Sequence, residues 1–177
     1  MQVQQTVNGP TVTAVAPGGD VRARSAPPRA PEVEVRVEAL SGYDDRGLAA
    51  EVGAAVTGVL RGRRRAEDRE RDEYLREFPE DTDRVTERER RIAAVVAAVE
   101  VRQVSDGGRV KVAWNGDTDV QVRLQPGTLA ESADDPAALV AEINDALAQA
   151  AAASASQSLE PRLDIVLAHL RIPQGRS

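Results

Sequence analysis

VSDGGRVKVAWNGDTDVQVRLQPGTLAESADDPAALVAEINDALAQAAAA, residues 104–153, runs strand, turn, cap and helix signals one after another. Val110, Val112 and Trp114 alternate with Lys111 and Ala113, and Val120, Val122 and Leu124 alternate with Gln121 and Arg123, so each strand has one apolar face. Asn115-Gly116 tolerates the positive φ of a tight hairpin, here loosened by Asp117 and Thr118, and makes the two strands antiparallel neighbours. Asp134 or Asp135 can cap the next segment, Pro136 suits a first helical position, and Leu139, Ile143 and Leu147 recur every four residues with Val140 beside them.

Upstream, a loose hairpin is expected around Asn8-Gly9-Pro10, followed by a Pro17-Gly18-Gly19-Asp20 turn. SAPPRAP, residues 25–31, has too many prolines for a helix or a central strand. Val33, Val35 and Val37 alternate with Glu34, Arg36 and Glu38 as a half-buried strand. Asp44 or Asp45 then caps a helix with Leu48, Val52, Val56, Val59 and Leu60 on one stripe, weakened by Gly47, Gly53 and Gly58. From Arg61 to Arg91 there are 11 arginines and 11 acidic residues, a solvated helical connector with pairs such as Glu67 with Arg71, broken at Pro79. A second helix starts at Asp81 or Thr82 and runs through Val99. Beyond Ala153, Ser154 to Ser158 reads as a small-residue linker, and Pro161 as the start of a terminal helix stopped by Pro173 and Gly175.

The chain has 177 residues, enough for one ordinary domain or two small ones. Its 41% hydrophobic content includes only 2% aromatic residues, which argues against large aromatic-lined cofactor pockets. With no cysteine and one histidine, thiolate catalysis, Cys-based zinc sites and a Ser-His-Asp triad are not expected. The N-terminal stretch lacks the pattern of an export signal and there is no long apolar run, so the expectation is a cytoplasmic protein with no membrane span. A net charge of −6 means that any polyanion must be held by a local basic patch.

Glu32 onward laid over Asp119 onward matches strand, loop, acidic cap and helix in order. Val3 to Val21 likewise resembles Val101 to Val120, with SAPPRAP as an insertion. The reading is α+β: two β-then-α units with antiparallel three-stranded sheets, joined by a charged helix and followed by a C-terminal helix. Its segments are a β-α half over 1–64, a connector over 65–84 and a second domain over 85–177.

The apolar helix end from Val95, then Gly108, Val110, Val112, Asn115 and Gly116, then Val122, Leu124, Pro126 and Leu129, then Ile143-Asn144-Asp145-Ala146, resemble the YbaB/EbfC family of bacterial nucleoid-associated proteins. These motifs cover about a third of the chain, and over half with the preceding helix and the tail. The resemblance implies a small, non-enzymatic, dimeric DNA-binding protein of the nucleoid, with no cofactor or metal. A degenerate first half would let one chain imitate that dimer, as an alternative to a homodimer.

Two basic groups are candidates for contacts to duplex DNA. Arg61, Arg63, Arg64 and Arg65 are expected at the C-terminal end of the first helix, where cations also suit the helix dipole. Arg109, Lys111 and Arg123 are expected together on the polar sheet face. Trp114 belongs to the core face, His169 reads as a packing or surface residue, and the Asp pairs read as helix caps rather than catalytic carboxylates. The alternative to DNA is an acidic adaptor module that keeps the fold and binds a protein partner.

Overall fold

The computed structural model describes residues 2–6, 9–26 and 29–170, and side chains within 11–26 and 29–168. The expected turn at Asn8, the prolines at 27–28, the Pro173 and Gly175 stop and the side chain of His169 lie outside those residues.

The fold is α+β, built from two β-then-α units. The first sheet is an antiparallel meander of β1 (Gln2–Thr6), β2 (Gly9–Val15), β3 (Val21–Ser25) and β4 (Glu32–Val35). After a 3₁₀ turn over Val37–Gly42 comes α1 (Asp45–Glu77). A 3₁₀ turn at Pro79–Asp81 then leads to α2 (Thr82–Ala97). The second sheet is β5 (Glu100–Val104), β6 (Val110–Asn115) and β7 (Asp119–Leu124), also an antiparallel meander. A single turn, α3 (Thr128–Glu131), and the long α4 (Pro136–Leu170) complete the chain.

The opening stretch folds as its pattern dictates. Val110, Val112, Trp114, Val120 and Val122 are buried, and Gly116 turns the hairpin at φ 61°. Asp135 caps α4 by accepting from Ala138 N at 3.0 Å, and Asp44 caps α1 by accepting from Gly47 N at 2.6 Å.

Several expectations are corrected. The first sheet has four strands, not three, because β1 adds to β2 as an outer strand. Val37 lies beyond β4 in the 3₁₀ turn and is exposed. α1 does not stop at the arginine cluster but continues to Glu77, since charged residues of both signs at helical spacing propagate a helix, and only Pro79 stops it. Arg71 pairs with Asp68 and Asp72 rather than Glu67, which takes Arg63. No linker separates a terminal helix: α4 runs through Ser154–Ser158 and Pro161. Alanines 150–153 favour continuation, and Ser158 Oγ donates back to the Ser154 and Ala155 carbonyls.

The two units repeat each other in detail. In the β2–β3 turn, Ala16 N donates to Val21 O and Gly19 N to Ala16 O, with Gly19 at φ 84°. In the β5–β6 turn, Ser105 N donates to Val110 O and Gly108 N to Ser105 O, with Gly108 at φ 75°. The bond from Arg36 N to Asp20 O has its counterpart from Gln125 N to Arg109 O. These pairs share one offset, so β2, β3 and β4 correspond to β5, β6 and β7, and Val33 to Val122. The alignment of Glu32 with Asp119 is thus two residues out of register and that of Val3 with Val101 nine, SAPPRAP is no insertion because Arg24 opposite Glu32 corresponds to Ala113 opposite Gln121, and β1 has no counterpart. Helix caps Asp44 and Asp135, and buried Leu48 and Leu139, match α1 to α4 at an offset two residues larger than that of the strands.

The units are crossed. α1 lies on β2 and β3 of its own sheet and also on β7, while α4 lies on β5 and β6 and also on β4. Asn144 of α4 accepts from Val33 N at 2.7 Å and donates to Val33 O at 2.9 Å, closing the free edge of β4. Thr57 of α1 does the same at Val120 of β7, at 3.3 and 3.4 Å. One apolar core contains Val21, Val33, Val52 and Val56 from the first unit and Val112, Trp114, Ile143 and Leu147 from the second. The glycines of α1 sit where it crosses strands: a Cβ on Gly58 would lie 3.0 Å from Ala14 Cβ, and one on Gly53 3.2 Å from Val120 O.

Candidate nucleic-acid interface

The structure does not bring the basic candidates into one patch. Lys111 and Arg123 are direct cross-strand partners on the outer face of the second sheet, and both are exposed. Val110 turns both backbone groups toward β5, its carbonyl accepting from Ser105 N and its N–H donating to Ser105 Oγ. Lys111 and Arg123 therefore form the hydrogen-bonded type of pair, with Cα atoms about 5.5 Å apart. Neither has an ion-pair partner among the described residues. The corresponding pair in the first sheet is Arg22 opposite Glu34, of opposite charge. Like charges set directly opposite destabilise a sheet, so the second unit keeps an uncompensated positive pair where the first has a neutral one. Val104, beside Lys111 on β5, is 46% exposed and extends this end of the face. At the other end stand Glu100 and Asp119, and Arg102 bonds Glu100.

Arg109 is not part of that face, which corrects the expectation that it joins Lys111 and Arg123. It precedes β6 in the turn and swings to α4, where Nε donates to Glu142 at 2.9 Å and Nη1 to Ser132 Oγ at 3.1 Å. Ser105 Oγ donates to the other Glu142 oxygen and accepts from Val110 N. Burial works against ionisation of Glu142, but the bonds from Ser105 and Arg109 outweigh it and hold the carboxyl below its ordinary range. In the first unit the corresponding Glu51 takes Gly18 N at 2.7 Å, so both helix carboxylates fasten a hairpin turn to their helix. Only the fold could reveal this use of Arg109, because Glu142 lies 33 residues away.

Arg61, Arg63, Arg64 and Arg65 lie in the middle of α1, so the helix dipole contributes nothing there. Arg63 pairs with Glu67 at 3.5 Å, and Arg64 with Asp68 and with Glu89 of α2. Arg61 and Arg65, one turn apart and exposed, have no ion-pair partner among the described residues.

Two features of the structure were not expected from the sequence, one cation and the exposure of a leucine line. Arg46, at the exposed start of α1, has no ion-pair partner among the described residues and borders a groove together with Arg123. Leu159, Leu163 and Leu167 form an exposed line on α4, visible in the sequence as an i, i+4, i+8 repeat but there indistinguishable from a buried stripe. Among the described residues no acidic or histidine side chains converge as a metal site, and no helix is long and apolar enough to cross a membrane. No protein-family model matches the chain, and no curated protein or solved structure is significantly similar to it.

Proposed function

We propose that this chain is a non-enzymatic DNA-binding protein of the YbaB/EbfC type, contacting mainly the phosphate backbone, and that its two crossed units do within one chain what two protomers do in a dimer. The observation that carries the reading is the uncompensated Lys111–Arg123 pair, which gains stability when an anion such as a phosphate lies between the two side chains. Arg61 and Arg65 provide a second, separate contact on α1. With a net charge of −6, binding depends on these local cations and is strongly salt-sensitive.

Gel-shift titration of a duplex at rising salt tests it. Affinity falls steeply as salt rises, and Lys111→Glu with Arg123→Glu costs at least tenfold and flattens the salt dependence, each lost phosphate contact removing about 0.9 from the log–log slope. No shift at low salt refutes DNA binding. Light scattering is expected to give a monomer; a homodimer held through the second sheet, with the first unit unfolded, refutes the single-chain imitation.

A second reading, an adaptor for a protein partner, is favoured by the exposed Leu159, Leu163 and Leu167 line and by the self-neutralised ion pairs of α1 and α2. It accounts for a chain that fails to shift DNA.

A further inference from the structure

A cavity of about 200 Å³ lies where the two units meet, and its walls come in matching pairs. Leu60 and Arg63 of α1 line it together with Ala151 and Ser154 of α4, which correspond to them at the offset that relates Leu48 to Leu139. The β3–β4 loop at Arg29 meets there the equivalent β6–β7 turn at Asp117. A symmetric dimer lines such a central cavity with the same residues twice, whereas two units joined in one chain are free to differ. The difference here is charge: Arg63 stands where α4 has Ser154, and Arg29 where the β6–β7 turn has Thr118.

Arg162, far along α4, reaches the same cavity. Its Nε is buried without a hydrogen-bond partner, and its guanidinium has no ion pair among the described residues. Buried charged donors are normally paired, because leaving one unpaired is costly, so a donor with no acceptor in its own chain points to an acceptor from outside it. Trp114, 5% exposed, lines the cavity too, and its indole N–H has no acceptor among the described residues. Arg29 is exposed and without an ion pair there, and Arg63 has only the half-exposed Glu67 at 3.5 Å. The one acid of the lining is the exposed Asp117, so three arginines against one aspartate leave two positive charges on it.

We propose that this cavity binds a small phosphate dianion, free phosphate or the end of a small phosphomonoester, among Arg162, Arg63 and Arg29, with Trp114 beside it. The lining charge matches a dianion, and guanidinium forks give phosphate strong charge-assisted bonds. Three arginines from three separate elements suit a group that carries oxygens on every side. The ligand touches both units and so ties them together. The site does not rest on the DNA reading, since neither Lys111 nor Arg123 takes part in it.

The chain has a single tryptophan, so its emission reports the cavity directly. Inorganic phosphate is titrated into the full-length protein in phosphate-free buffer, with ionic strength held constant by sodium chloride. Expected are a saturable change in Trp114 emission and a melting temperature, read by far-UV circular dichroism, that climbs with phosphate. Glycerol 1-phosphate binds as well, glycerol does not, and the tighter of the two phosphates shows whether the natural ligand is free or esterified. Arg162→Met weakens binding by about tenfold or more. Ala155→Glu, from an exposed position on the lining, sets a carboxylate among the arginines and abolishes the response should the methionine variant fail to fold. Four results overturn the proposal: no change in emission or melting at tens of millimolar phosphate, the same change with chloride alone, displacement of phosphate by a duplex without terminal phosphates, which would assign the arginines to the DNA backbone, or an unchanged response in folded Arg162→Met or Ala155→Glu.

Discussion

At Glu142 burial disfavours a negative charge, and the hydrogen bonds from Ser105 and Arg109 reverse that preference, so the carboxyl ionises below its ordinary range. A carboxylate whose pKa is depressed by folding stabilises the native state above its unfolded value, near 4.5, and loses that contribution as pH falls through the lower, folded value. Glu142→Gln keeps the shape but gives up the charge-assisted bonds and leaves Arg109 half-buried without its counter-ion. The expected cost at pH 7 is about 1.5–3 kcal/mol by urea titration. The gap between parent and variant should narrow as pH is lowered below 4.5; a gap that does not change with pH would mean that packing, not charge, sets the cost. Here the limit of reading from sequence is clear. Alternation assigned Arg109 to the same face as Lys111, yet a residue in the turn is free to rotate, and a carboxylate on a distant helix decides where it goes.

Among the elements, Asn144 shows how one side chain joins the two units. It satisfies both backbone groups of Val33, a residue buried to 1% exposure, from a helix belonging to the other half. Asn144→Leu leaves that donor and acceptor unpaired, with an expected loss of about 2 kcal/mol and faster amide exchange at Val33, read by exchange NMR. Protection at Val33 unchanged from the parent chain would show that β4 does not depend on this contact. The strands and caps were legible because they are local: valine alternation, Asn115-Gly116, Asp135-Pro136. The repeat was legible in kind but out of register, by two residues after Glu32, since a period-two pattern is unchanged by a slide of two, and by nine upstream, where β1 was matched in place of β2; only the matching turn hydrogen bonds fix it. Helix ends were misread for a different reason. Neither an arginine cluster nor a serine run stops a helix whose neighbours favour it, and Pro161 lies on an exposed part of α4, where the carbonyl it leaves unpaired can meet water.

The way the units cross over was not legible at all, because no local pattern says that α1 must cover β7 or that α4 must cover β4. It nonetheless determines how the molecule behaves as a whole. Each sheet relies on the other unit's helix to close an edge, and the core is continuous across both, so neither half buries enough apolar surface on its own. Equilibrium unfolding is therefore expected to be a single transition despite the internal repetition. Trp114 is buried in the second unit and reports it by fluorescence, while far-UV circular dichroism follows both, and the two urea midpoints should coincide. A chain cut between Ala98 and Val99 should give two fragments that are largely unfolded apart and regain the parent spectrum when mixed, the binding energy being the interface the crossing creates. Two resolved transitions, or a second-unit fragment that melts cooperatively alone, would show that the units are neighbours rather than a mutually dependent pair.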